Sequence, residues 1–269
     1  MLGLMQSQPL LISSMIEFAE RHHGDAEIVS RRVEGDIHRY TYRDLAARAR
    51  RLANALDAQR LQFSDRVATL AWNGYRHMEM YFGVSGSGRV LHTINPRLHP
   101  DQIAWIVNHA EDQVLCFDMT FLPLVQAVHA KCPTVKQWVA LCDADKLPAD
   151  SGIPGLLSYE AWIGAQSADY SWPEFDENSA SSMCYTSGTT GNPKAALYSH
   201  RCGAARCDVP VGARLGATRG AHVPRQCMGY SLLCGPDGVQ GCFPRPRPRW
   251  QVGVRTDRSR AGDLCRRRA

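Results

Sequence analysis

The chain has 269 residues, 44% hydrophobic and 21% charged, with a formal net charge of +5 and a mean hydropathy of −0.30. That length buries a sizeable core, and the composition excludes a wholly disordered chain and a polytopic membrane protein. No stretch reaches the roughly 18 apolar residues of a membrane span, and residues 1–11 lack a basic flank, so no secretory leader is expected.

In chain order, Ser13 or Ser14 is placed to cap a first helix carrying Met15, Ile16, Phe18 and Ala19, with Gly24 as its stop and His22 and His23 suiting its carboxyl end. Thr41 precedes a second helix, on which Leu45, Ala49, Leu52, Ala53 and Leu56 fall at helical spacing and Asp44 favours the first turn. Residues 66–71 read as a buried strand, 75–86 as helix and 89–93 as strand. Pro100 opens a helix, as proline does in a first turn. Strand, helix and strand follow at 114–117, 121–130 and 137–141, then a surface loop at 143–156. A polar, acidic stretch over 171–181 leads to a strand at 182–185, and 195–198 reads as another. Strands alternating with helices imply an α/β fold, a layered, largely parallel sheet flanked by helices.

Several side chains invite site readings that the pattern does not support. Cys116, Cys132, Cys142 and Cys184 are widely spaced and no C-x-x-C pair exists, so buried thiols in a reduced, cytoplasmic protein are expected. No H-E-x-x-H occurs. Residues 83–88 fail G-x-S-x-G and read as a helix ending in a glycine-rich turn. Trp72, Trp105, Trp138 and Trp162 read as core or interface aromatics.

The most informative segment follows Tyr185: Thr186, Ser187, Gly188, Thr189, Thr190, Gly191, Asn192, Pro193 and Lys194. Glycines let successive N–H groups turn into one concavity, hydroxyls add donors for phosphate oxygens, and Lys194 adds a point charge. Asn192-Pro193 is a turn signal that aims the lysine back at the loop. The result is a phosphate loop on a strand–loop–strand, distinct from a Walker A motif. On composition alone, a Gly/Ser/Thr hairpin loop with a solvated lysine remains the alternative.

The full string from Thr186 to Lys194 resembles the signature of the AMP-forming acyl-CoA synthetases and adenylate-forming ligases. Residues 65–73 (DRVATLAWN), 92–98 (HTINPRL), 108–112 (NHAED) and 176–185 are also similar to that family, most of all to its medium- and long-chain fatty-acid branch. The resemblance covers about residues 10–201 and implies the N-terminal part of the adenylate-forming large domain. It implies binding of β/γ phosphates by the loop at 186–194, with ATP, Mg2+ and coenzyme A as cofactors or substrates and a fatty acid as the acid. It also implies a homodimer in the complete family member. The family has Gly after the lysine; here Ala195 puts a β-carbon beside that backbone.

The last 69 residues differ from the rest. Residues 1–200 hold 17 Lys and Arg against 22 Asp and Glu, net −5, whereas 201–269 hold 14 Arg, no Lys and four Asp, net +10. The tail also carries six of the ten Cys and ten of the 22 Gly, and no Ile. The family continues with a motif near V-P-M-F-H-V-N-A-W-G; residues 220–229 read GAHVPRQCMG. Suitable synonymous codons for those ten residues, read one nucleotide later, spell V-P-M-F-H-V-N-A-W. Met228-Gly229 permits only tryptophan in that frame. Residues 202–269 are therefore expected to be a frame-shifted, unfolded tail, and the chain an inactive fragment. The alternative is a nucleic-acid- or polyanion-binding protein, in which Arg245, Arg247 and Arg249 or the arginines at 266–268 contact phosphates. Any Arg-rich segment binds polyanions weakly, so no specific nucleic-acid partner is expected.

Overall fold

A computed structural model describes residues 7–186, 192–205 and 252–253. Helix α1 (Ile12–His23) is followed by the hairpin β1 (Glu27–Arg31) and β2 (Ile37–Thr41), then α2 (Tyr42–Ala58). Next come β3 (Arg66–Leu70), α3 (Tyr75–Gly86), β4 (Val90–Thr93), α4 (Pro100–Ala110) and β5 (Asp112–Phe117). The order continues with α5 (Leu122–Val128), β6 (Gln137–Ala140), β7 (Leu157–Ser158), α6 (Tyr159–Gly164), β8 (Ala180–Thr186), β9 (Lys194–Ser199) and α7 (His200–Ala205). Among the described residues the main sheet has seven strands in the order β7-β6-β5-β3-β4-β8-β9, parallel except for the β8–β9 pair. A small sheet joins β2, β1 and β10 (Val252–Gly253).

Both faces of the main sheet are covered. On one, Val67, Leu91, Val114 and Cys116 pack against Leu52 and Leu56 of α2, Met80 and Val84 of α3, and Trp162 of α6. On the other, Ala68, Leu70, Leu115 and Phe117 pack against Ile103 and Val107 of α4 and Val125 of α5. Strands buried on two faces explain why 66–71 and 114–117 read as continuous apolar runs rather than alternating ones.

Thr41 caps α2 as its spacing predicts: its hydroxyl accepts from the Asp44 amide while the Asp44 carboxylate accepts from the Thr41 amide. The start of α1 differs. Leu11 is the N-cap and makes no side-chain cap, Ser13 lies buried within the helix, and the Ser14 hydroxyl donates back to the Leu11 carbonyl. Gly24 does end α1, but through close approach rather than a left-handed turn. Its φ is −52°, and a β-carbon there would sit 2.5 Å from the Glu20 carbonyl oxygen. The hairpin β1–β2 and the β7–α6 unit are additions to the sequence reading. Cys116, Cys132, Cys142 and Cys184 are buried thiols that form no disulfide among the described residues, as expected. The glycine-rich turn is present too: α3 ends at Gly86 and Gly88 has a φ of +80°.

The crossing of α2 and α3 depends on Gly83. A β-carbon there would lie 2.8 Å from Leu52 Cδ2 and 2.9 Å from the Ala49 carbonyl oxygen. Gly83→Val is expected to force the helices apart and cost about 1–3 kcal/mol. The check is a urea titration, with a lowered midpoint at unchanged slope.

The expected boundary at residue 201 does not coincide with an end of regular structure. Helix α7 crosses it, with Ala204 buried. Most of the tail, 206–251 and 254–269, lies outside the described residues.

Candidate functional site

Strands β8 and β9 form the expected strand–loop–strand. They pair antiparallel with Thr186 opposite Lys194 and Tyr185 opposite Ala195, and the Thr186 hydroxyl donates to the Lys194 carbonyl at 3.3 Å. This closes the base of the loop. Thr186, Asn192, Lys194 and Ala195 are exposed and Pro193 is half-buried. Ser187, Gly188, Thr189, Thr190 and Gly191 lie outside the described residues.

Beneath the loop, three sequence strings from distant parts of the chain meet. The Tyr185 hydroxyl lies 2.6 Å from His109 Nδ1 on α4. Trp105, one helical turn earlier, stacks on His109 with centroids 4.6 Å apart and meets the Tyr185 ring edge-on. From the other side the His92 ring of β4 packs on Tyr185 at 5.2 Å. His92 Nδ1 is 2.8 Å from Asp112 Oδ2, and both side chains are fully buried. The other ring nitrogen, Nε2, is buried without a hydrogen-bond partner among the described residues. Burial raises the Asp112 carboxyl above the usual range, against the pull of His92. Burial, with Asp112 adding to it, also raises the Tyr185 phenol, so the hydroxyl stays protonated.

The register places these groups together for a simple reason. In the parallel β4–β8 pair His92 lies opposite Met183, and the two-residue strand period returns Tyr185 to the Met183 face. Asp112 reaches that face because α4 closes on a left-handed Glu111, φ 52°, which Arg66 holds through the Ala110 carbonyl and the Glu111 carboxylate. The sequence flagged His92, His109 and Asp112 only as members of similar strings and gave them no role. What it lacked was their convergence, which needs the strand order.

At the other end of β8–β9, Glu177 accepts from the Leu10 amide at 2.7 Å and pairs with Arg201. The Ile12 amide donates to His200 Nδ1 at 3.2 Å, and burial lowers that imidazole to about 4. These bonds tie α1 to the exit of β9.

Comparison with known proteins gives consistent results. The family described as "AMP-binding enzyme" matches residues 16–218. A 3-methylmercaptopropionyl-CoA ligase of Ruegeria lacuscaerulensis is 53% identical over 201 residues, 75% of this chain and 37% of that protein. A medium-chain-fatty-acid–CoA ligase of Ectopseudomonas oleovorans is 50% identical over the same shares. A long-chain-fatty-acid–CoA ligase of Thermus thermophilus is 45% identical over 197 residues, 73% of this chain and 35% of that one. Among solved structures, the anthranilate CoA ligase AuaEII in complex with anthranoyl-AMP superposes with a TM-score of 0.64 at 22% identity, covering 73% of this chain and 36% of that chain. The inhibitor-bound N-terminal domain of FACL13 from Mycobacterium tuberculosis gives 0.60 at 25% identity, covering 71% and 44%. The chain thus spans little more than a third of the length of the curated relatives it matches.

Proposed function

Because the chain belongs to the AMP-binding enzyme family, whose matched relatives are acid–CoA ligases, we propose that it is the N-terminal portion of an ATP-dependent fatty-acid–CoA ligase. In that reaction a carboxylate attacks the α-phosphorus of ATP and expels pyrophosphate. The thiol of coenzyme A then attacks the acyl carbon and expels AMP. Neither half needs a nucleophile from the protein. The protein positions the reactants and neutralises phosphate charge.

The observation that carries the reading is the built base of the loop at 186–194. The Tyr185–His109 bond and the Asp112–His92 pair fix Tyr185, the last residue but one of β8, and the Thr186–Lys194 ladder fixes the opening. Held this way, Lys194 serves the β/γ phosphates. Mg2+ belongs to this chemistry as the counter-ion of ATP. Among the described residues no three His, Cys, Asp or Glu side chains are grouped to hold a metal ion. No helix among the described residues is long and apolar enough to cross a membrane.

The domain reading keeps residues 10–201 as a partial AMP-binding domain and most of 202–269 as a frame-shifted continuation. The charge break and the hidden V-P-M-F-H-V-N-A-W string support it; the family match itself runs past 201, to residue 218. The nucleotide sequence across codon 201 is expected to show a neighbouring frame that continues the ligase. Frames closed by stops soon after codon 235 would sink the idea. With the frame restored, ATP–pyrophosphate exchange tests the function: octanoate is expected to drive it. Exchange driven by 3-methylmercaptopropionate but not by octanoate would move the acid from the fatty-acid class to the thioether acid in the name of the Ruegeria relative.

A further inference from the structure

The small sheet leaves one edge of β1 turned away from β2. The Arg32 amide donates to the Asp36 carbonyl at 2.9 Å, and the Tyr42 amide to the Ala26 carbonyl at 3.2 Å. Both pairs lie on the register that sets Ile28 opposite Tyr40 and Ser30 opposite His38. Hydrogen-bonded positions alternate along an antiparallel pair, so Ile28 and Ser30 give their backbone groups to β2. The N–H and C=O groups of Glu27, Val29 and Arg31 point to the opposite edge. Among the described residues one element lies there, β10, with Gly253 opposite Val29 and Val252 opposite Ser30 in antiparallel order. Val29 and Gly253 are therefore the pair that exchanges hydrogen bonds across this edge.

The sequence around β10 fits the edge beyond these two residues. Residues 250–255 read WQVGVR, free of proline, whereas 244, 246 and 248 are all proline. Apolar Trp250, Val252 and Val254 alternate with Gln251, Gly253 and Arg255, the period of a half-buried strand. Strand β1 has the matching alternation in its environment: Ile28 and Ser30 are fully buried, Arg31 is exposed, and Glu27 and Val29 lie between.

We propose that residues 251–255 of the tail close this edge of β1 as an added strand within the same molecule, in the register of Val252 and Gly253. That register sets Gln251 opposite Arg31, Val254 opposite Ile28 and Arg255 opposite Glu27. Directly opposite residues share a face, so both valines fall on the buried face with Ile28 and Ser30. Gln251 and Arg255 fall on the outer face, where Arg255 is complementary in charge to Glu27. Slips that keep the valines on the buried face move the strand by two residues. One such slip sets Asp257 opposite Glu27, and the other sets Arg249 opposite Arg31. Each places like charges in direct opposition, which destabilises a strand pair. Charge thus selects the register, and the main-chain bonds and the valines supply the attraction, as in other strand additions to an open edge. The inference does not depend on the ligase reading, because it concerns the tail as it is written in this chain.

The test is amide hydrogen exchange, resolved residue by residue across β1 in the full 269-residue chain at about 0.15 M salt. Val29 is expected to be protected. Gly253→Pro removes the donor that faces Val29, and is expected to speed Val29 exchange about fivefold, the scale of one net backbone hydrogen bond. Ile28 and Ser30, bonded to β2, are expected to keep their rates, which shows that the hairpin itself stays folded. Gly241→Pro, a proline elsewhere in the tail, is expected to change none of them. Arg255→Glu sets like charges opposite each other and is expected to speed Val29 exchange about two- to fivefold, whereas Arg260→Glu, with the same change in net charge, leaves it unaltered. An unchanged Val29 rate in Gly253→Pro would overturn the proposal. So would an equal response to Arg255→Glu and Arg260→Glu. Protection of Val29 that rises with protein concentration would give the edge to a second copy of the chain and overturn the intramolecular assignment.

Discussion

Incubated with octanoate, ATP and labelled pyrophosphate, the 269-residue chain is expected to give no acid-dependent exchange, and a frame-restored chain to give it readily. In the proposed ligase the loop at 186–194 would supply one part of a composite site, and orientation of the nucleotide base, the carboxylate and the thiol would come largely from the nearly two-thirds of the relatives' length that this chain does not span. A misplacement of about 1 Å already costs on the order of 100-fold, and loss of whole contact surfaces costs far more. In the restored chain, Lys194→Ala is expected to lower exchange by about 100-fold or more, the scale of losing one group that stabilises charge in a transition state. Thr189→Val is expected to lower it less, since it removes a hydroxyl and no charge. Octanoate-dependent exchange by the 269-residue chain would contradict the fragment reading outright.

The second large effect is on stability. Arg48 on α2 donates to Glu79 on α3 at 2.7 Å and to both carboxylate oxygens of Glu160 on α6. Glu79 is fully buried, and its other oxygen accepts from the Tyr159 hydroxyl at 2.9 Å. Arg76 also binds Glu160 at 2.8 Å, so Glu160 keeps a cation when Arg48 is removed and Glu79 does not. Arg48→Ala is therefore expected to cost about 3–5 kcal/mol, the scale of stranding one buried charge. The deficit depends on pH in a definite sense. Burial raises the Glu79 carboxyl and Arg48 opposes the rise. Without Arg48 it climbs further, so the folded variant binds a proton that the unfolded chain releases above about 4.5, and its stability falls as pH increases. The loss is expected to be smaller at pH 5 than at pH 8, measured by urea unfolding at both. A loss independent of pH would assign the effect to packing of the arginine stem instead.

The sequence made the repeating α/β unit legible because two-sided burial writes itself as apolar runs and capping writes itself as Thr41-x-x-Asp44. It made the two strands flanking residues 187–191 legible because each is a short run bounded by glycine and Asn-Pro turn signals. The hairpin β1–β2 was not visible: β1 is short, and the two positions it buries, Ile28 and Ser30, differ in polarity, so its alternation does not show as an apolar pattern. The base of the loop was not visible either. His92, His109, Asp112 and Tyr185 span more than ninety positions, and nothing local says that β8 inserts beside β4. The start of α1 was misassigned because serine signals a cap by type, whereas here Leu11 precedes the helix and His200, from the far end of the described chain, receives the Ile12 amide.

The placement of β8 also orders events in time. Its partner β4 ends at Thr93, and β8 begins at Ala180. The intervening chain builds β5, β6, β7 and three helices on the other side of β3. During synthesis the unit from β3 to α6 has all its own strand partners before β8 leaves the ribosome. The pair β8–β9 is a late, long-range addition that pays its loop-closure entropy last. Nascent chains stalled with residues 1–165 outside the tunnel are expected to resist protease across 66–163 already. The two strands that flank residues 187–191 are then among the last pieces to settle.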